Sequence, residues 1–448
     1  MGMKTLRFRG VLCCIMASAL LFTGLVCGGG LSTLAAVESV NGSDSLVRTS
    51  LTEIKNVLTS ISYTDYLAMY ESSGRPDETV DIDIFGNING DETNITYQVV
   101  DGAEYGKDGK VLLIGDDGKI SFNINIKTAG FYNILVEYYT GNISVYDADG
   151  NLATVGKNAS IERMVMIDGK VPFKEARSIS FSRAWADSYP ELDGDYKVVK
   201  TDGNKTYYDS TSTKFFESVA NGDRIFQRDN NGNEMKPEKN IVGIWYTKRL
   251  FDSSGYSNAP LMFHFENGEH VISLNTVREP FAVKSIKLVP IAETISYEEY
   301  LAEHKNAKDY SGDDIIIQAE YPSLASDRTL YQLNDRTSVI SQPQDSALIR
   351  LNSIGGDKWT YVGQWIEYTF EAPEDGFYYV VPRSIQNVTS GKYVSRKIYI
   401  NGEVPFTEAN YTRFDFSDTW KTDALNDGTT EFKFFLNKGI NTIRLEVA

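Results

Sequence analysis

Cysteine is almost absent from this chain of 448 residues, and histidine is as scarce: there are three of each. All three cysteines, Cys13, Cys14 and Cys27, fall within the first thirty positions, so the body of the protein has no disulfide. The histidines are His264, His270 and His304. His264 and His270 flank an Asn267-Gly268 turn on two neighbouring strands, and no cysteine or third histidine completes a common zinc site. Positive charge is also in deficit, with 44 Lys and Arg against 61 Asp and Glu and a net charge of −17. Nucleic acid and anionic lipid surfaces are therefore excluded as partners on electrostatic grounds. No Gly-x-Ser-x-Gly elbow, phosphate loop or dinucleotide fingerprint occurs. The sequence is thus expected not to be an enzyme, although paired carboxylates for glycoside hydrolysis stay open because Asp and Glu are plentiful.

Long apolar runs are limited to Val11 to Val26, preceded by Lys4, Arg7 and Arg9 and followed by the small residues Thr33 and Ala35. This order predicts a secretory signal peptide over 1–35, cleaved after Ala35, with a spacer over 36–60. Two alternatives are an uncleaved anchor and lipidation at Cys27, where bulky Val26 replaces the Gly or Ala that lipoprotein signals prefer. In each case the body lies outside the cytoplasm, extracellular or associated with the cell envelope.

What is abundant is internal repetition. Ile61 to Leu67 (ISYTDYL) returns as Ile295 to Leu301 (ISYEEYL), and IDGKVPFKEARSISFSRAW from Ile167 returns as INGEVPFTEANYTRFDFSDTW from Ile400. Gly130-Phe131-Tyr132 answers Gly376-Phe377-Tyr378. Conserved order over such separated anchors means two copies of one folding unit, a tandem and not a solenoid.

Within each copy the pattern is that of strands. Ile120, Phe122, Ile124 and Ile126 alternate with Ser121, Asn123 and Asn125, and Ile366, Tyr368 and Phe370 repeat the period. Further strands are expected over 131–139, 163–167, 261–265, 270–274 and 283–289, with turn pairs such as Asp168-Gly169 and Asn401-Gly402 between strands. Capping boxes at Ser50 to Glu53 and Ser296 to Glu299 predict short helices at the edges. The expected fold is all-β, two tandem β-sandwiches over 61–290 and 295–448, each preceded by a short helix. Copy one carries an insertion over about 186–255, since 78 positions separate Trp185 from Phe263 but only 14 separate Trp420 from Phe434. Copy two stops after its Leu445 strand, which predicts a sandwich truncated at its C-terminal end in a longer protein.

The blocks Ile316-Ile317-Gln318-Ala319-Glu320, Gly363-Gln364-Trp365-Ile366-Glu367-Tyr368, Gly376-Phe377-Tyr378 and Lys438-Gly439-Ile440-Asn441-Thr442-Ile443-Arg444-Leu445 occur in this order. Together they resemble galactose-binding-like jelly rolls of carbohydrate-binding modules. Copy one matches the later blocks but has Ile82-Asp83-Ile84-Phe85-Gly86 where the Ala-Glu pair would stand. The tandem behind a signal is similar to the front of bacterial extracellular solute-binding proteins of sugar ABC transporters. That resemblance implies carbohydrate as partner and a membrane permease reached through a downstream module. It also implies a structural calcium held by Glu320, although Lys284 stands in copy one where the family's aspartate partner would be. Asp147 to Asn151 and Asp229 to Asn233 have the alternating oxygens of a calcium loop but no glutamate at its twelfth position, and read as turns.

Sugar recognition needs aromatic faces for pyranose C–H surfaces and planar polar groups for paired hydroxyls. Arg183, Trp185 and Tyr189 in copy one and Asp418 and Trp420 in copy two are the expected ligand residues. Trp245, Tyr246, Trp359, Tyr361 and Trp365 are further candidates, with core packing as the plainer account of Trp365. The expected function is a carbohydrate-binding region of a sugar-uptake solute-binding protein. The rivals are a structural spacer presenting a downstream receptor domain and a secreted glycan-active enzyme fragment.

Overall fold

Alternating apolar residues build the longer strands of the computed structural model, which describes residues 61–189, 226–388 and 390–448. The signal peptide, the Cys27 anchor, the spacer, the cap at Ser50 and the central part of the insertion lie outside the described residues. In the first half, helix α1 (Tyr63–Met69) precedes β1 (Val80–Ile82), β2 (Tyr97–Asp101), β3 (Lys110–Ile114), β4 (Lys119–Ile126), β5 (Gly130–Tyr139), β6 (Ser144–Tyr146), β7 (Leu152–Val155), β8 (Ile161–Ile167) and β9 (Ile179–Phe181). Then come β10 (Trp185–Ser188), β11 (Glu238–Ile241), β12 (Trp245–Arg249), β13 (Met262–Phe265), β14 (Gly268–Arg278) and β15 (Phe281–Val289). The second half has helix α2 (Tyr297–Glu303), β16 (Leu324–Ala325), β17 (Gln332–Leu333), β18 (Ser353–Ile354), β19 (Trp365–Ala372), β20 (Gly376–Tyr379) and β21 (Arg383–Ser384). It ends with β22 (Tyr393–Ile400), β23 (Thr412–Asp415), β24 (Lys421–Thr422), β25 (Lys433–Leu436) and β26 (Gly439–Val447).

The chain is an all-β sandwich protein, as its alternation implies. In the first half a four-stranded sheet, β4-β14-β8-β9, accompanies a seven-stranded sheet ordered β12-β5-β15-β3-β2, with β1 on β15 and β13 on β5. Ile120, Phe122 and Ile126 of β4 are buried while Asn123 and Asn125 are exposed. The second half repeats the smaller sheet as β19-β26-β22-β23, and that sheet continues past β19 through β16 to β10 and β11. Those last two strands come from the first half. Trp185 sits opposite Ile241 on one side and Ala325 on the other, so the hairpin at the ends of the insertion joins the sheet of copy two.

The duplication holds atom by atom. Ser62 Oγ accepts from the Asp65 N–H at 3.2 Å and Ser296 Oγ from the Glu299 N–H at 3.2 Å, each capping its helix. Tyr63 and Tyr66 accept from the N–H groups of Met262 and His264 at 2.9 and 2.7 Å; Tyr297 and Tyr300 accept from those of Lys433 and Phe435 at the same two distances. Each helix is thereby pinned to a strand edge, β13 or β25, by two phenolic oxygens. At the strand turns Asp168 and Asn401 adopt φ of 50° and 52°, and the next residues, Gly169 and Gly402, 72° and 89°. Two consecutive positive φ angles define a type I′ turn, which only Asn or Asp followed by Gly adopts at low strain. Asp168 and Asn401 also accept from the N–H groups of Val271 and Thr442.

The halves differ where β15 lies. In the first half β15 pairs with β1, β3 and β5 and buries Phe281, Val283, Ile286 and Leu288. Among the described residues copy two has no strand in that place. There β20 pairs with β25, and Ile316, which stands where β1 would be, is 80% exposed.

Tyr66→Phe and Tyr300→Phe each remove one buried acceptor from a strand N–H, and each is expected to lower unfolding free energy by about 1 to 2 kcal/mol. Urea denaturation checks this; a loss confined to one half would contradict their equivalence.

Candidate functional site

Trp420 immediately precedes β24, which pairs with β21. It is half-buried, and its indole Nε1 donates to Asp335 Oδ1 at 3.1 Å and to Thr337 Oγ1 at 3.3 Å. The Arg383 guanidinium lies 5.7 Å from its ring, held by a bond to Ser338 Oγ at 2.7 Å. These contacts fix the ring plane, which a stacking platform requires. Asp418 is exposed two residues away. A shallow depression beside this turn is lined by Ser384, Gln386, Arg413, Asp415, Ser417 and Lys421, supplying both donors and acceptors. Arg413 donates to Asp415 at 2.6 Å and lies over the ring of Tyr393, which is itself exposed.

The other expected ligand residues lie elsewhere. Arg183 is 2% exposed; it donates to the Ala159 and Thr140 carbonyls and forms an ion pair with Glu279 at 3.0 Å. Its guanidinium therefore ties the turn between β14 and β15 to the β5 end, inside the protein. Trp185 is 6% exposed within the shared sheet. Tyr189 donates to Asp187 at 3.2 Å and lies 6.0 Å from the rings of Phe226 and Tyr321, which stack on each other at 4.7 Å. The structure thus does not bring the five together: Asp418 and Trp420 share a surface, while Arg183, Trp185 and Tyr189 are built into the first half and its junction. Of the further aromatics, Trp365 is 2% exposed and carries Arg444 at 4.0 Å over its ring. Arg444 also holds Glu367 at 2.7 Å and donates to Tyr246 at 2.8 Å, linking the halves. Trp245 donates to Tyr105, and Trp359 lies under Arg396 at 4.4 Å. Tyr361 is exposed.

All three histidines are engaged in packing, His304 against Tyr300 and Phe435. His264 stacks on Tyr70 at 4.0 Å, burial holding its pKa below the usual range, and His270 lies 2.7 Å from Asp168. Among the described residues no group of three or more His, Cys, Asp or Glu is placed to hold a metal.

Glu320 is 2% exposed. Burial raises its carboxyl to about 7, opposed by its own backbone N–H and reinforced by the charge of Glu234. Next to it, Gln332 donates to the Glu320 carbonyl at 2.9 Å and to Asp187 at 2.5 Å, but its buried Oε1 has no partner. A carboxylate and an amide oxygen are donor types that a hard cation takes, and they supply two of the roughly six to eight oxygens that calcium needs. The turns Asp147 to Asn151 and Asp229 to Asn233 close on themselves: each leading aspartate accepts from N–H groups two and four residues ahead. They are Asx turns, as read.

Sequence reasoning missed Arg163, which is fully buried on β8 and donates to the carbonyls of Glu162, Arg278 and Glu279. Its counterpart Arg396 on β22 donates to the Ser395 and Trp359 carbonyls. A signal existed: both arginines occupy matching places in the repeat, inside strands that are otherwise largely apolar.

No known protein family and no curated protein matches the chain. Solved structures similar to it include the catalytic domain of a GH87 alpha-1,3-glucanase in complex with nigerose, at 11% identity and TM-score 0.24, covering 52% of this chain and 34% of that one. Another is the Agl-KA catalytic domain, at 10% identity and TM-score 0.20, covering 54% and 33%. A third is a Paenibacillus sp. cycloisomaltooligosaccharide glucanotransferase complexed with cycloisomaltoheptaose, at 8% identity and TM-score 0.22, covering 86% and 50%. The chain spans between a third and a half of these proteins. The first and third of these names are those of carbohydrate-active enzymes, so the expectation of a non-enzyme is withdrawn: absent motifs do not exclude glycan-cleaving chemistry. At these values no residue role passes from them to this chain.

Because the folded pKa of Glu320 lies above its unfolded value, its contribution to stability is present below about pH 4.5 and lost as pH rises through about 7. In calcium-free buffer Glu320→Gln is expected to remove this slope and to raise stability by about 3 kcal/mol at about pH 8. Denaturation curves at about pH 5 and 8 check it; an unchanged slope would contradict the assignment.

Proposed function

We propose that the chain is the carbohydrate-engaging β-sandwich region of an exported glycan-active protein, with the Trp420 surface of copy two as its contact. The observation that carries this reading is the half-exposed indole of Trp420, fixed by Asp335 and Thr337 beside Asp418 and a depression lined with paired donors and acceptors. A sugar ring would stack on the indole while Asp418, Asp415, Gln386 or Lys421 binds its hydroxyls. Calcium belongs to the same reading as a structural ion at Glu320 and Gln332, ordering the segment that leads into β16. The signal-like leader supports export. The four resemblance blocks support a finer placement ahead of a sugar-uptake receptor module, with a membrane permease as the downstream partner.

Titration of the exported body against a panel of neutral glycans, nigerose and cycloisomaltoheptaose included, with and without chelator, tests the reading. Trp420→Ala is expected to weaken binding at least about tenfold with little change in stability. Trp185→Ala is expected to lose about 3 to 5 kcal/mol of stability and to keep the affinity of whatever remains folded. Absence of binding to every glycan, or full binding by Trp420→Ala, would leave only the spacer role. Product analysis of the same mixtures decides whether bound glycan is cleaved.

A further inference from the structure

At the junction of the two halves, outside the Trp420 surface, opens a depression of about 320 Å3, lined by Lys397, which is buried, and Lys248, which is half-buried. Lys397 on β22 is 3% exposed and reaches into the first half, where Nζ donates to the Asn258 carbonyl at 2.9 Å. Lys248 on β12 donates to the Ser180 carbonyl at 3.2 Å. Both ammonium groups lie against one ring, Phe251, at 4.7 and 5.9 Å from its centre. Each ammonium has three donors and uses one on a carbonyl.

Three carboxylates line the same depression, those of Glu162, Asp252 and Glu446. Asp252 accepts from Ser254 Oγ and from the N–H groups of Ser254, Tyr256 and Ser257 in its own turn. Glu162 is paired with Arg278. Glu446, in the same lining, attracts both lysines, and among the described residues neither lysine forms a direct ion pair. Burial pulls both lysine pKa values down, Lys397 further disfavoured by Lys248. Two like charges side by side at an open volume, neither in a direct ion pair, form a poor arrangement for stability alone. They suit a ligand whose carboxylate contacts both ammonium groups directly.

We infer that this depression binds the carboxylate of a single acidic sugar ring, a hexuronic acid, with Lys248 and Lys397 on the carboxylate and the hydroxyls of Ser180 and Ser182 on the ring. The volume stands at the low end of ligand cavities, which run from roughly 300 to 1,000 Å3, and limits the ligand to one ring. The sugar part of the inference rests on the carbohydrate reading above. The charge part stands on the lysine pair.

Calorimetric titration of the full chain with galacturonate and glucuronate tests it, with galactose, glucose and inorganic phosphate as parallel arms. A uronate is expected to bind at least about tenfold more tightly than its neutral sugar, and affinity should fall as salt rises from roughly 50 to 500 mM. Lys397→Met and Lys248→Met are each expected to weaken uronate binding at least about tenfold, with melting temperatures no lower than that of the parent. In the unaltered protein, bound uronate should shield Lys248, the more exposed of the two, from reductive methylation, a readout that needs no variant. Equal binding of uronate and neutral sugar, unimpaired binding by both variants, or no shielding would overturn the inference. Phosphate bound as tightly as uronate would overturn its sugar part. Trp420→Ala should leave uronate binding intact, so failure at that surface and failure here are told apart.

Discussion

One β-pairing governs the arrangement of the described body: the hairpin of β10 and β11, contributed by copy one, adds to the open edge of β16 in copy two. An unpaired strand edge is a strong acceptor for further strand addition, and here the acceptor and the donor belong to the same chain. The hairpin is fixed beyond its backbone. Lys239 and Asp187 pair with side chains almost fully buried, and Gln332 of copy two donates to the same aspartate. A buried ion pair is weak evidence for net stability, but breaking it leaves a charge without a partner, so it enforces one register. Arg444, held between Glu367, Trp365 and Tyr246, makes a second link between the halves. The lysine-lined depression exists because these contacts hold the two sandwiches in one position.

The duplication and the all-β class were legible because both rest on local patterns. Alternation at β4 and β19 follows from burying one face of a strand, and Asp168-Gly169 with Asn401-Gly402 follow from a turn that tolerates few other residues. Trp185 and Trp420 show where legibility ended. They stand at matching positions of the repeat, yet one is packed in a sheet and the other fixed on a surface, because only the first continues into an added strand. The insertion read as a polar excursion of copy one, and nothing in its local pattern discloses that its ends pair with copy two. Arg183 looked like a ligand residue for a related reason. A guanidinium that closes a strand turn internally has the same sequence signature as one that faces a sugar.

Burial also separated Glu320 from the surface carboxylates around it. Its neighbours in sequence, Ile316 and Ile317, are exposed, and the Ala-Glu block alone does not reveal that Glu320 is buried. Three polar centres therefore have distinct physical characters: a half-exposed aromatic platform at Trp420, a buried carboxyl at Glu320 whose backbone Gln332 holds, and a lysine pair, Lys248 and Lys397, at the junction. Only the first resembles the site that composition and motif spacing suggested.

Residue-resolved hydrogen exchange at the junction is the most direct measurement. If sheet addition unites the halves, the amides of β10, β11 and β16 exchange as slowly as those of β14 and β26, through opening of the whole body. Exchange of β10 and β16 at the rate of exposed loops, with β14 and β26 still protected, would show two independent sandwiches and contradict the account.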